Sequence, residues 1–299
     1  MKIVITGANS FIGKRLVKRL LALDYQLVLV LRPEHSIPNH DENIRIIPLD
    51  MEKYGQLGEL VGACDCFVHL AWDGTRGDTR MDAIRQHRNV EFSTQAVCSM
   101  LLAGCRRIIT AGSQAEYGPH SDQISEETVC RPNTEYGKAK LEFYHNVVAL
   151  CEQGGISYKE PRFFSLYGPG DFPGAMIISI LQDMLAGNIC RLTQGVQLWD
   201  YLYIEDAVDG LVKLCTMPCS DGVYNFGSGD VRPLREYIEE MARITRSKSK
   251  LLFGDIPYPE TGMVSLWPDI TKLRQELDWQ PTITFAEGVH RIMTEGVAE

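Results

Sequence analysis

Several features are missing from the 299 residues, and each absence excludes a class of protein. No apolar run approaches the roughly 18 residues that a membrane-crossing helix needs, so no membrane partner is expected. Lys2 is followed at once by the apolar stretch Ile3-Val4-Ile5 and then Gly7, so no secretory leader of the usual form is expected. The nine cysteines (Cys64, Cys66, Cys98, Cys105, Cys130, Cys151, Cys190, Cys215 and Cys219) are odd in number and irregularly spaced, with no Cys-x-x-Cys. A disulfide framework is thereby excluded, and reduced thiols in a cytoplasmic protein are expected. No His/Cys/carboxylate cluster has metal-ligand spacing, so no metal is expected. Positive charge is in deficit, with 30 Lys+Arg against 39 Asp+Glu and a net charge of −9. Such a surface is not built to hold nucleic acid, although an anionic small ligand needs only local cations.

What is present reads as a globular α/β enzyme. Short apolar runs alternate with amphipathic segments through the first half: strands at Ile3–Ile5, Leu27–Leu31, Arg45–Pro48, Cys66–Leu70 and Ile108–Ala111, and helices over Phe11–Leu23 and Arg85–Leu102. This alternation predicts a Rossmann-type doubly wound parallel sheet with right-handed crossovers. The continuously apolar Leu27–Leu31 suits a sheet covered on both faces. The basic residues Lys14, Arg15, Lys18 and Arg19 read as a solvated helix face. Near residue 165 the pattern changes to a Pro- and Gly-dense stretch and then to mixed short elements, with two short helices around Trp279-Gln280-Pro281. Residues 1–164 are therefore expected to form a dinucleotide-binding domain. Residues 165–299 are expected to form a smaller mixed α/β C-terminal substrate lobe, with some segments returning to the first domain.

Two motifs carry chemistry. Gly7-Ala8-Asn9-Ser10-Phe11-Ile12-Gly13 joins the first strand to the first helix. A glycine turn there lets backbone approach a pyrophosphate and aims free helix N–H groups at it. Ser10 replaces the usual middle glycine, and its hydroxyl can donate to phosphate. The second strand ends in Arg32 rather than an acidic residue, which favours NADP(H) through a 2′-phosphate and leaves NAD(H) open, with a solvent-facing Arg32 as the plainer reading. Asp50, after the third strand, is placed to accept from the adenine amino group. The second motif is Tyr136-Gly137-Lys138-Ala139-Lys140, whose Tyr and Lys share one helix face. An ammonium beside a phenol favours the phenolate and lowers the phenol's pKa, and the same Lys can bond the nicotinamide ribose. Ser113, at the carboxyl end of the fifth strand, can hold a substrate carbonyl or alcohol.

These residues resemble the extended short-chain dehydrogenase/reductases of the nucleotide-sugar epimerase/dehydratase group. The resemblance runs on through His69-Leu70-Ala71, Asn89-Val90, Pro161 to Gly170, Trp199 to Asp206, Tyr224 to Gly229 and Leu273 to Pro281. It implies a catalytic triad of Ser113, Tyr136 and Lys140. It implies cofactor contacts at Gly7, Asn9, Ser10, Phe11, Ile12, Gly13, Asp50, Met51, Leu70, Ala71, Trp72, Asn89, Pro161 and Phe163, and a homodimer. The substrate, a nucleotide-linked sugar, would meet Ser113, Gln114, Ser165, Arg191 and Trp199. Ser165 stands where relatives carry Asn, and Trp199 where they carry an Arg that contacts the nucleotide diphosphate. Either other basic residues such as Arg191 or Arg232 replace that grip, or the substrate is an unusual one. Gln114 and Ala115 replace the acid/base pair of dehydratases. A 4-keto-6-deoxyhexose reductase is the leading expectation, ahead of a 4-epimerase with retained NAD and of a cofactor-binding regulator without catalysis. Cys130 is either near the site or a plain core cysteine, and Trp267 and Met263 either wall the substrate pocket or pack the core.

Overall fold

The computed structural model describes residues 1–35, 41–258 and 263–295. Its centre is a parallel sheet that begins with β1 (Lys2–Thr6), β2 (Gln26–Leu31), β3 (Ile44–Pro48), β4 (Cys66–His69) and β5 (Arg107–Thr110). Ser157–Phe163 and Gly222–Phe226 extend it. The spatial order is β3-β2-β1-β4-β5, then Ser157–Phe163, then Gly222–Phe226, every pairing parallel. The chain steps outward from β1 in one direction, then returns across it. That reversal leaves a crevice at the carboxyl ends of β1 and β4, the usual ligand position in such sheets.

β1, β2 and β4 are almost wholly buried, as expected for strands covered on both faces. Ile3, Ile5, Leu27 and Leu29 face one apolar cluster, and Val4, Val28, Val30 and Phe67 the other. The period-two alternation thus divides one strand between two cores. Helices Ala83–Leu102 and Glu135–Gly154 cover the second face, and α1 (Phe11–Leu21) with Ile204–Thr216 covers the first.

α1 stops at Leu21, two residues short of the sequence expectation, and Asp24 turns the chain at φ +60°. Its basic face is not simply solvated. Arg15 pairs with Glu205 at 3.1 Å and Arg19 with Asp209 at 2.7 Å, both on Ile204–Thr216, while Lys14 and Lys18 are exposed. The ion pairs join an early helix to a late one, a link no local pattern contains. The late strand Gly222–Phe226 likewise joins the main sheet. Beyond residue 165, Met176–Ala186 and Leu234–Thr245 pack beside small two-stranded pieces such as Cys190–Leu192 with Leu251–Phe253. The two short C-terminal helices form as expected, at Thr271–Leu277 and Phe285–Glu295. Among the described residues no helix is long and apolar enough to cross a membrane.

His69, at the end of β4, is buried between the Thr6 hydroxyl (2.8 Å from Nδ1) and the Ser93 hydroxyl (2.9 Å from Nε2). Burial, helped by the Lys140 charge, pulls its pKa down to about 3. The unfolded imidazole takes a proton near ~6.5, so unfolding binds a proton as pH falls below that value. From this group alone, folded stability should drop by about 2 kcal/mol between roughly pH 7 and pH 5. Denaturant unfolding of wild type and His69→Gln at the two pH values checks this. An equal loss in both proteins would refute the assignment.

Candidate active site

The crevice is a cleft of about 850 Å³ between the sheet's carboxyl edge and the segments after residue 163. Ser10, Phe11 and Ile12 line one end, and Trp199, Tyr201 and Leu266 line the other. Ser113, Tyr136 and Lys140 sit between.

At the first end, Gly7 holds φ +70°, and a Cβ there would lie 2.8 Å from the Ala71 nitrogen. A Cβ at Gly13 would collide with the Gly7 carbonyl oxygen and with Ala8. Both positions therefore need glycine, one for its turn and one for the close approach of helix to strand. Asn9, half-buried, completes the turn. Ser10 is the N-cap of α1, and its hydroxyl oxygen accepts from the Gly13 N–H at 3.1 Å. Its own proton remains available for a phosphate. No acidic residue stands in the first turn of α1, so nothing there offsets the positive end of the helix dipole. This cradle fits a dinucleotide pyrophosphate. A neighbouring hollow of about 490 Å³ is lined by Arg32, Asp50, Met51 and Asn89, among others. Arg32 is more than half exposed and ion-paired with Glu34 at 3.3 Å. Asn89 is already engaged. Its amide donates to the Asp73 carbonyl at 2.7 Å and its oxygen accepts from the Asp73 N–H at 3.0 Å, so it pins the loop after β4.

The helix Glu135–Gly154 brings the central group together. Thr134 caps it by accepting from Gly137 N–H at 3.0 Å. A Cβ on Gly137 would collide with the Ala115 carbonyl, so the helix start lies hard against the segment after Ser113. Tyr136 and Lys140, one turn apart, both face the cleft. The Lys140 ammonium donates to the Ala111 carbonyl at 2.8 Å and lies 3.7 Å from the centre of the Trp72 ring. Burial pulls its pKa down to about 8, against the opposing pull of Glu116 and Glu160. Trp72 is oriented in turn by Gln86, whose oxygen accepts from the indole N–H at 2.8 Å.

Tyr136 departs from the sequence expectation. Burial raises its pKa, and the groups that draw it back down are the Ser113 hydroxyl and the Arg80 guanidinium, not Lys140. Arg80 stacks 4.8 Å from the Tyr136 ring centre and has no carboxylate partner among the described residues. Nothing in the residues around Arg80 marks it in the sequence, because the loop that carries it is set by Asn89 and Gln86 rather than by a local motif.

The substrate end is aromatic. Trp199 and Tyr201 flank Asp200, which turns away to accept from the Ser228 and Gly229 N–H groups at 2.7 Å each. Both ring residues therefore face the cleft, and the Trp199 N–H and Tyr201 hydroxyl are buried without partners. Gln114, Ser165, Leu70, Trp72 and Phe163 also line it. Arg191 does not. It is exposed and paired with Asp255 at 2.5 Å, because its strand carries it to the outer side of the second half. Arg232 is likewise withdrawn, stacked 4.0 Å over Tyr237 and paired with Glu240. Pro161 is buried inside the sheet opposite Tyr224 rather than on the cleft wall. Leu266 lines the cleft, while Trp267 and Met263, whose sequence reading is open between the cleft wall and the core, do not. Trp267 faces a separate hollow, and Met263 is exposed. Across the mouth, Arg76 pairs with the buried Asp171 at 2.8 Å and stacks on Phe172.

Residues 3–227 match the model of the NAD dependent epimerase/dehydratase family. The chain is 23% identical to a UDP-N-acetyl-alpha-D-glucosaminuronate decarboxylase of Bacillus cytotoxicus, over 96% of this chain and 94% of the relative. It is 26% identical to the dTDP-6-deoxy-L-talose 4-dehydrogenase (NAD(+)) of Aggregatibacter actinomycetemcomitans, over 89% and 99%. In fold it is similar to a UDP-glucose 4-epimerase of Thermotoga maritima, with TM-score 0.87, 20% identity and coverage of 99% and 98% of the two chains.

Replacing Arg80 by Met removes a charge that favours the phenolate, so the Tyr136 phenol should titrate at still higher pH. Ultraviolet titration of phenolate, with the Tyr136→Phe curve subtracted, reads this directly. A curve unchanged by Arg80→Met would show that the stacked guanidinium has no electrostatic hold on the tyrosine.

Proposed function

Because the chain belongs to the NAD dependent epimerase/dehydratase family, we propose that it is a reductase of nucleotide-linked 4-keto-6-deoxyhexoses with Ser113, Tyr136 and Lys140 as its catalytic set. The observation that carries this reading is the meeting of these three side chains in one cleft beside a glycine cradle. Gly7, Ser10, Phe11, Ile12 and Gly13 would hold the pyrophosphate of a nicotinamide dinucleotide, and Asp50 and Met51 would face its adenine. When bound, the dinucleotide supplies the hydride.

The protein's own groups manage the proton and the oxygen. The Tyr136 O–H donates its proton to the oxygen of the reduced carbonyl, so that hydride and proton together convert the ketone to an alcohol. Ser113 donates a hydrogen bond to the same oxygen and holds it in register. Arg80, stacked on the Tyr136 ring, supplies the positive charge that favours the phenol's loss of its proton, and Lys140 would bond the cofactor ribose. The aromatic side chains of Trp199 and Tyr201 would meet the far end of the substrate. Arg32, at the end of β2, supports a 2′-phosphate and hence NADPH ahead of NADH. Dehydration lacks its acid. Glu116, the carboxylate nearest Ser113 in the chain, is fully buried, does not line the cleft, and has its oxygens turned to the Ser113 N–H and Arg162.

A second reading, a 4-epimerase that retains NAD, is favoured by the Arg76–Asp171 pair and Phe172 across the cleft mouth, a contact suited to keeping a dinucleotide in place. One experiment separates the two. The protein is mixed with NADPH or NADH and a panel of nucleotide-linked 4-ketohexoses. Stoichiometric loss of reduced-cofactor absorbance is the expected result, stronger with NADPH. Inversion at the sugar carbon without net cofactor consumption would overturn the reductase reading in favour of the epimerase. Tyr136→Phe should lower turnover by about 10²-fold or more while cofactor binding persists. A variant that keeps its full biological effect would point to a regulator instead.

A further inference from the structure

Behind Ser113 lies a charged cluster that the proposed reaction does not use. Arg162, buried in the Ser157–Phe163 strand, pairs with Glu116 at 2.8 Å and Glu160 at 2.9 Å, and all three side chains are essentially inaccessible. Glu116 also accepts from the Ser113 N–H at 2.7 Å, closing a capping box with the Ser113 hydroxyl. Glu160 accepts from the Tyr158 hydroxyl at 3.0 Å. The guanidinium stacks on Tyr117 and Tyr144, and one of its N–H groups donates to the Cys130 sulfur at 3.3 Å. Cys130 thus packs against the cluster and not in the cleft.

When both are ionised, two carboxylates around one guanidinium leave one negative charge without a local partner, and burying it alone would be severely unfavourable. The missing cation is close at hand. A Cβ on Gly112 would lie 2.7 Å from Glu160 and 2.9 Å from Arg162, so the cluster packs directly under the Ala111–Ser113 segment. That segment carries both Ser113 and the carbonyl that accepts from Lys140. We propose that Glu116 and Glu160, clamped on Arg162 beneath Ala111–Ser113, form the buried counter-charge that keeps the Lys140 ammonium ionised in an otherwise apolar wall. With both carboxyls ionised, Arg162 and Lys140 bring the four groups to neutrality. Moving one proton from Lys140 to Glu116 preserves that neutrality, so the set titrates as a unit. Glu116 and Glu160 both draw the Lys140 pKa up against the larger effect of burial, while burial and Glu160 draw the Glu116 pKa up against Arg162, so the Glu116 carboxyl and the Lys140 amine compete for one proton. The other ionisable groups facing the set are Tyr136 on the lysine's own helix, His69 on β4, and Tyr117, Tyr144, Tyr158 and Cys130 around Arg162. The two glutamates are positioning residues, acting through Lys140.

This inference rests on Lys140 being the cofactor-side ammonium, but its test does not require turnover. The full chain is labelled with ¹³C-lysine, the Lys140 signal is assigned by its loss in Lys140→Arg, and its titration is followed in wild type, Glu116→Gln and Glu160→Gln. Glutamine still accepts from the Ser113 N–H, and circular dichroism verifies the fold. In both variants the titration midpoint should fall by about one pH unit or more, and the alkaline loss of reduced-cofactor binding should move down with it. Glu116→Asp should restore most of the shift. An unchanged midpoint in a folded Glu116→Gln or Glu160→Gln protein overturns the proposal even if the sugar reaction is found. A moved midpoint in a protein that reduces no sugar upholds the counter-charge and sinks only the reductase reading.

Discussion

A lysine ammonium held in a nearly dry wall is costly to stabilise, and much of the local architecture lies around it. Water is replaced by one backbone carbonyl, one indole face and the field of a carboxylate pair. Each substitute has to be placed by a different part of the chain: Ala111 by β5, Trp72 by the loop after β4, Glu116 and Glu160 by the segments on either side of the helix that carries Lys140. None of these is close to Lys140 in sequence. The parallel sheet brings them together because the carboxyl ends of neighbouring strands deliver their loops to the same edge.

The same edge divides into parts of different chemistry. At one end, backbone N–H groups and a helix dipole prepare a place for an anion without any cationic side chain. At the other, aromatic side chains line the wall, and the two arginines expected to grip the substrate are held elsewhere by Asp255 and Glu240. The proposed catalytic set of Ser113, Tyr136 and Lys140 lies in the same cleft. Its tyrosine is buried enough to favour the neutral phenol, with Ser113 and Arg80 tempering that tendency. The arrangement suits a group that gives up a proton when charge develops on a neighbouring oxygen.

Much of the scaffold was legible in the residues because it depends on short-range physics. Apolar runs, period-two burial and the i,i+4 spacing of Tyr136 and Lys140 place strands and helices to within a residue or two, and the glycines at 7 and 13 mark a turn and a close approach that other residues would block. The errors share a cause. Arg191, Pro161 and the solvated face assigned to Arg15 and Arg19 were judged by residue type and by position in a motif, yet their surroundings come from segments dozens to hundreds of residues away. Arg80 and Arg162 were passed over for the same reason, since a cation in a loop or strand has no meaning until its neighbours are known.

The amino-acid order by itself determined the alternating α/β layout, the glycine turn at the head of α1 and the pairing of Tyr136 with Lys140 on one helical face, because each is a matter of backbone sterics and periodicity along a continuous stretch. Only the tertiary structure decided which charges reach the cleft, which are cancelled outside it, and that two glutamates and an arginine lie buried under the serine. Electrostatic energy depends on distance and on the exclusion of water, and both are properties of the packed molecule rather than of the chain.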